Sequence, residues 1–451
     1  MLGTTLSRWT MSYFAAALCA LIGAEALMAA GYGFPSADLR APETLFLVHL
    51  VVIGWLSLLL CGALLQFVPV LIAHPLHSNT LPLPALAFLL TGLAGLLGGF
   101  LQFASVPGSG LPLFPFATMA LAAGFGLILY NLGRTLASVR PLPLAARFVG
   151  VALLSLAATV ALGATFALSL GATISNPLAL KITAAALPLH VAAGIGGWLT
   201  FAAIGVSYRL LAMFMLAPEL EGKRPHMVLW LGAGALAVTI LGGLGLLLTN
   251  ESLLPALLLG GVLSLAALGL YGADILFLYR ARKRRILELN SEMTAYALAS
   301  LAAAAVLALT FTVFHRFSGQ IGALVFLILF GWLTGLGLAK LYKIVAFLTW
   351  LECYGPVLGK VATPRVQDLV VESHARKWFF LYYAATWAAT AALLASSVFV
   401  FRLAAAAMLV VTSAIIVQLV RTRLLSNVSG PVALPAGVRP PRLLICLPES
   451  G

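Results

Sequence analysis

Residues 187–214 read LPLHVAAGIGGWLTFAAIGVSYRLLAMF and place His190 near the start of a long apolar segment. A Gly-Trp-Leu-Thr step begins at Gly197, in the middle of that segment. The same scheme occurs at residues 47–70, LVHLVVIGWLSLLLCGALLQFVPV, and at residues 324–347, LVFLILFGWLTGLGLAKLYKIVAF. The chain therefore carries three copies of one apolar motif, and a long-period repeat of this kind decides the fold.

The spacing of the copies indicates how many helices each repeat contains. The Gly-Trp pairs begin at Gly54, Gly197 and Gly331, a repeat of about 140 residues that holds four membrane-spanning helices of roughly 20 residues each with their loops. We therefore expect three pseudo-equivalent four-helix units. They cover residues 11–140, 145–285 and 290–422, within a transmembrane domain of residues 1–425.

Composition places the chain among membrane proteins. Hydrophobic residues make up 62% of it and charged residues 9%, whereas soluble domains are nearer a quarter charged. Apolar runs recur along the whole chain, which predicts an all-α polytopic membrane protein in a lipid bilayer. The four cysteines are scattered, with no Cys-x-x-Cys pair, so the sequence indicates neither a disulfide framework nor a thiolate metal site.

The basic residues report topology. The net charge is +13, but Lys and Arg cluster in alternate loops, so we expect no nucleic-acid partner. The positive loops follow even-numbered spans, which predicts that both termini are cytoplasmic. The Pro-rich tail 426–451 is expected to be disordered. Twelve spans are predicted, near residues 11–32, 44–72, 83–103, 113–136, 148–170, 181–216, 227–248, 253–279, 293–315, 320–348, 378–399 and 401–420.

This arrangement resembles the haem–copper oxidase catalytic subunit over about residues 11–420. The shared features are twelve spans in three groups of four, cytoplasmic termini, and a histidine early in the second and sixth spans. The phrase GALLQFVPVL at residues 62–71 is similar to uncharacterised oxidase-like membrane proteins related to that subunit. The resemblance implies that His49 lies where the family has its second-helix low-spin haem ligand. It implies that His190 lies where the family has its sixth-helix copper ligand.

The chain also departs from that family. It reads GLLLTNESLL where the family has a His-His pair, and it has no histidine between Gln320 and Lys343 on the tenth span. Gly194 replaces the family's tyrosine beyond the sixth-helix histidine. One remaining imidazole does not make the usual nitrogen-rich copper site. We therefore expect no copper and no four-electron reduction of oxygen, and b-type haem is the cofactor that the resemblance still implies.

The two histidines are the candidate cofactor-binding and metal-ligating residues. His49 and His190 are equally explained as structural residues bonded to backbone carbonyls. On a helical wheel Gly194, Gly197 and Phe201 share the side of His190 and leave a shallow groove there. A flat macrocycle would fit that groove, and so would a neighbouring helix.

Two acidic residues lie within predicted spans, Glu25 in the first and Asp274 in the eighth. An ionisable group at membrane depth is costly and marks a candidate functional site. The two acids are candidates for a proton path, and the alternative is an interhelical hydrogen bond.

These features predict an oxidase-like protein of the bacterial inner membrane. It would bind haem b for electron transfer or for handling oxygen or nitric oxide, with a cytochrome or respiratory-complex subunit as partner. Whether it is an enzyme is left open. The alternatives are a cofactor-free transporter and an assembly partner of a respiratory complex. The major-facilitator fold divides into two halves, unlike the threefold repeat found here.

Overall fold

The computed structural model describes residues 7–105, 110–220, 222–429 and 433–446, and in these residues it is built from helices without strands. Twelve long helices follow one another along the chain. They are α1 (Thr10–Ala30), α2 (Pro42–Leu71), α3 (Pro82–Ser105), α4 (Leu113–Ala137), α5 (Leu144–Leu170), α6 (Leu187–Met215), α7 (Lys223–Leu248), α8 (Leu254–Arg280), α9 (Leu289–Val313), α10 (Gly319–Val357), α11 (Glu372–Leu394) and α12 (Val398–Arg423). A short helix, Pro177–Ala185, precedes α6.

Eleven of these helices in the described residues are long and apolar enough to cross a membrane. Helix α11 is not among them, and its first two turns carry Glu372, His374, Arg376 and Lys377. The chain is therefore a polytopic helical membrane protein. The count of twelve spans stays a prediction.

Local sequence sets several helix ends. Pro42 and Pro82 stand at the first positions of α2 and α3, where the missing N–H of proline costs no helical hydrogen bond. Gly31 ends α1 in the left-handed region, with φ of 83°, and its N–H caps the last turn. The helix bounds lie within a few residues of those predicted for most spans.

The helices fall into two compact units. Unit 1 comprises Met1–Gln66 and Leu287–Gly451, and unit 2 comprises Phe67–Ile286. The division passes through α2, so α3 and α4 belong with α5–α8 rather than with α1 and α2. This grouping differs from the predicted four-helix units, whose threefold equivalence stays a prediction.

The three motif copies share one local conformation. Each lies in a π-helical segment inside its long helix, at Leu50–Ser57, Ala192–Phe201 and Leu327–Thr334. In each copy the preceding long helix packs against that segment, α1 on the first, α5 on the second and α9 on the third. Few helices contain π segments, and those that occur are often found at functional sites. The three copies are therefore alike in sequence, in local helix type and in being contacted by the long helix that precedes them.

The glycine of the motif permits close helix packing. A Cβ added at Gly197 would lie 2.4 Å from the Cβ of Ser155 on α5. A Cβ added at Gly331 would lie 2.9 Å from the Cβ of Ser300 on α9. Small residues allow backbones to approach in this way. The glycines of the second and third copies thus bring the long helix and its predecessor together.

The two ends of the described chain meet in unit 1. The Cys446 N–H donates to the Arg8 carbonyl at 3.0 Å, and the Ser12 hydroxyl donates to the Leu444 carbonyl at 2.7 Å. The Tyr354 hydroxyl also donates to the Ala433 carbonyl at 2.7 Å. The disorder predicted for the tail and the cytoplasmic location of both termini stay predictions. Residues 430–432 and 447–451 of that tail lie outside the described part.

Candidate functional site

Glu25 lies in the interior of unit 1, on α1. Its side chain is 0% exposed, and Oε1 accepts a hydrogen bond from the Thr412 hydroxyl of α12 at 2.9 Å. Its other oxygen, Oε2, has no hydrogen-bond partner among the described residues. A buried polar atom without a partner is uncommon and calls for an explanation such as a water molecule or an ion.

Tyr382 connects this carboxyl with a further set of hydrogen-bonded groups in unit 1. Tyr382 of α11 lies close enough to Glu25 for electrostatic interaction, and its hydroxyl donates to the Phe330 carbonyl at 2.9 Å. Thr334 accepts a hydrogen bond from the Trp55 indole at 2.8 Å. Phe330 and Thr334 both lie in the third π-helical segment, and Trp55 lies in the first. The first and third motif copies are therefore joined by the Trp55–Thr334 hydrogen bond, and Tyr382 binds to the third.

Asp274 occupies a different environment in unit 2. Its Oδ2 accepts a hydrogen bond from the Tyr208 hydroxyl at 2.9 Å, and its Oδ1 lies 2.5 Å from Nε of Arg224 in an ion pair. Beside it, the Ser207 and Tyr271 hydroxyls are hydrogen-bonded at 2.6 Å. The contacts join α6, α7 and α8. Asp274 is therefore paired with a cation, and its contacts connect three helices.

The two membrane acids are thus unequal. Both make an interhelical hydrogen bond, which was the alternative to a proton path. Asp274 is also neutralised by Arg224, whereas Glu25 keeps one oxygen without a described partner. Uncompensated ionised carboxylates in an apolar interior are strongly disfavoured. Glu25 is consequently the better candidate for a group that gains and loses a proton.

His49 is bonded within its own helix. Its Nδ1 lies 2.7 Å from the Leu45 carbonyl oxygen. Because a carbonyl only accepts, the proton is on Nδ1 and the lone pair of the neutral ring is on Nε2. The same bond is typical of histidines that ligate metals and of structural histidines. This bond is therefore compatible with both roles, and haem ligation by His49 stays a prediction.

His190 packs against α5. Its ring makes an edge-to-face contact with Phe166, with ring centroids 5.3 Å apart. A Cβ added at Gly163 would lie 3.1 Å from Cε1 of His190. The α5 helix thus lies against one edge of the imidazole. Ligation by His190 stays a prediction.

The groove predicted below His190 is filled by protein. A Cβ added at Gly194 would lie 3.3 Å from Thr159, and the Gly197 position abuts Ser155, both on α5. Phe201 lies against Gly232 of α7, where an added Cβ would be 2.3 Å from its ring. The neighbouring-helix alternative therefore describes this groove, and a flat macrocycle does not fit the space taken by α5.

Comparison with known proteins adds no family to these observations. Neither the protein-family models nor the curated proteins compared with this chain match it. Within the described residues, no group of three or more His, Cys, Asp or Glu side chains is placed to hold a metal ion. The candidate site therefore depends on the geometry of the chain itself.

Sequence reasoning missed the partners of both acids. Thr412 stands in the apolar helix α12 and Tyr382 in α11, and no sequence signal connects either of them to Glu25. In the sequence, Arg224 is one of the basic residues between the sixth and seventh predicted spans, and Tyr208 stands near the end of the sixth. Each partner lies far along the chain from its acid, so its role depends on which helices are neighbours.

Proposed function

We propose that this integral membrane protein transfers protons within the bilayer and that Glu25 takes them up and releases them. The observation that carries the proposal is the buried Oε2 of Glu25 without a described partner. No cation of the described residues is paired with it, so the carboxyl is favoured in its neutral form, because burying an ionised group costs several kcal/mol. Releasing the proton then requires a transient partner for the charge that remains.

Neighbouring hydroxyls supply that partner on one side. Thr412 already donates to Oε1, and this hydrogen bond strengthens when the carboxyl becomes an anion. Tyr382 lies within electrostatic range on a different helix. A proton leaving Oε2 is therefore followed by charge stabilisation at Oε1, so the carboxyl can cycle between its two forms.

The test is proton flux into proteoliposomes. Purified protein is reconstituted with a pH-sensitive dye inside, and a potassium diffusion potential drives protons inward. Glu25→Gln keeps the size of the side chain and should abolish the flux, while Glu251→Gln, an exposed acid, should leave it unchanged. Flux in Glu25→Gln equal to the wild type, or wild-type flux no greater than in empty vesicles, would overturn the proposal.

A second candidate function is haem binding at His49, with which the tautomer set by the Leu45 carbonyl is compatible. His49 would hold the iron through Nε2, and the haem would supply one-electron chemistry or a site for a diatomic gas. Because α5 fills the groove below His190, we expect His49 to be the only one of the two histidines on which haem depends. This differs from a haem bridged between them.

Absorption spectra of the purified oxidised and reduced protein test that candidate. His49→Ala should lose the Soret band, whereas His190→Ala should keep it together with carbon monoxide binding. Equal haem content in both variants and the wild type would show that both histidines are structural. The wild type should show no cytochrome oxidase turnover, because most copper ligands are missing.

The apolar helices place the chain in a lipid bilayer. We propose the bacterial inner membrane as that bilayer, with a cytochrome or respiratory-complex subunit as partner if haem is present. If neither proton flux nor haem is found, the third candidate function is that of an assembly partner of a respiratory complex.

A further inference from the structure

The end of α8 carries a run of basic residues. Helix α8 ends at Arg280, and the loop that follows contains Arg282, Lys283, Arg284 and Arg285. Of these, Arg280, Arg282, Lys283 and Arg285 are exposed. An alternating charge bias explains why such a loop is basic. It does not explain how this loop is held.

The loop is fixed against the end of α6. The backbone N–H groups of Lys283 and Arg284 donate to the carbonyls of Leu216 and Met215, each at 3.3 Å. Leu216 follows α6 in the left-handed region, with φ of 51°. The last carbonyls of a helix have no partner within it. The loop supplies such partners, and so its side chains are presented from a fixed backbone.

Two acidic residues of α8 and of the loop after α6 are paired with arginines in the described part of the chain. Glu219 pairs with Arg209, and Asp274 pairs with Arg224. In the part of the chain that the structure describes, Arg280, Lys283 and Arg285 form no ion pair with a carboxylate. Among the described residues, this end of unit 2 therefore presents several positive charges without a paired carboxylate.

Exposed apolar side chains adjoin these charges. Leu276 and Phe277 lie four and three residues before Arg280 on α8, so all three share one side of the helix. Met213 is exposed near the end of α6, and Ile286 directly after the basic run is 84% exposed. The surface thus combines cationic groups with apolar side chains on adjoining turns of α8.

We propose that this surface binds an anionic phospholipid of the phosphatidylglycerol class. Its phosphate would be held by Arg280, Lys283 and Arg285, and an acyl chain would lie along Leu276 and Phe277. Basic groups at a membrane surface attract anionic headgroups, and the adjoining apolar stripe suits the hydrocarbon of the same molecule. An acidic protein would engage the charges and would not need the stripe.

The binding can be measured on the whole chain in detergent by native mass spectrometry, with phosphatidylglycerol and phosphatidylcholine titrated separately. The wild type should prefer phosphatidylglycerol, and raising the salt concentration should weaken that preference because exposed charges are screened. Each charge removed should lower the affinity about fivefold, so the double variant Lys283→Gln/Arg285→Gln should lose roughly twentyfold to thirtyfold.

Two further variants separate a lipid site from a general charge effect. Lys360→Gln/Arg421→Gln removes two exposed charges from unit 1 and should leave the affinity unchanged. Phe277→Ser keeps every charge and should lower phosphatidylglycerol binding. Equal affinity for both lipids, or no loss in Lys283→Gln/Arg285→Gln, would overturn the proposal. Charge dependence without any effect of Phe277→Ser would overturn it too, because the acyl chain would then not lie along α8.

Discussion

Arg423 holds the C-terminal tail against α10 and α12, and we predict that Arg423→Met releases residues 433–446. Its Nε and Nη2 donate to the Arg442 carbonyl at 2.9 and 2.5 Å, and Nη1 donates to the Thr349 hydroxyl at 3.2 Å. Nη1 also lies 2.6 Å from Oε2 of Glu352, and both charged side chains are only 3% exposed. One guanidinium therefore joins the tail to α10 and α12.

The size of the effect follows from burial. Removing one partner of a buried ion pair costs about 3–5 kcal/mol, because the other charge is left without solvent or a counter-charge. When the tail detaches, water reaches Glu352, so this cost favours the detached form. At about 1.4 kcal/mol for each factor of ten, the detached fraction should rise between about a hundredfold and a few thousandfold.

Cys446 reports detachment directly. It is buried, and burial together with the Glu352 carboxylate beside it raises the pKa of its thiol to about 12. A buried, protonated thiol reacts slowly, whereas a thiol in a detached tail reacts at an ordinary rate. The assay is labelling with a membrane-impermeant maleimide, read on the tail peptide by mass spectrometry. Arg421→Met changes an exposed arginine on the same helix and is the control.

A double variant separates docking from overall stability. In Glu352→Leu/Arg423→Met no unpaired charge is left in the interior, so thermal stability should recover. Labelling of Cys446 should stay fast, since the Arg442 carbonyl has lost its donor. The reasoning is refuted if Arg423→Met is labelled as slowly as Arg421→Met, or if the wild type is labelled as fast as Arg423→Met.

Three further outcomes are expected. Arg224→Gln should lower the free energy of unfolding by about 1–3 kcal/mol in thermal melts, less than the loss expected for a fully buried ion pair, because Arg224 is 44% exposed. Asp274→Asn should lower it by less than Arg224→Gln does, because it leaves no buried charge. Gly197→Val should lower the free energy of unfolding by about 1–3 kcal/mol or prevent folding, because the added side chain overpacks against α5. Gly234 has open space around it, so Gly234→Val should elute in size-exclusion chromatography as the wild type does. A topology reporter fused after Arg285 should register as cytoplasmic, and an external signal there would reverse the predicted orientation.

The class of the protein and most helix bounds could be predicted from sequence. Within a bilayer each backbone polar group must be bonded inside its own helix, so length and hydropathy of each run suffice to locate a helix. The sequence did not predict that all three copies of the Gly-Trp-Leu step lie in π-helical segments, which only the structure shows. Hydropathy was not sufficient for helix α11, whose polar first half leaves it outside the eleven helices that are apolar enough to cross a membrane.

The surroundings of the functional candidates were decided by tertiary structure alone. Sequence identified Glu25 as a membrane acid, but its partner Thr412 lies 387 residues away and depends on α1 meeting α12. Sequence left the groove beside His190 open to a macrocycle or a helix, and packing of α5 filled it. Hydropathy fixes where each helix lies along the chain and leaves its neighbours and rotation undetermined. Those two quantities decide whether a buried acid finds a cation, as Asp274 does, or a single hydroxyl, as Glu25 does.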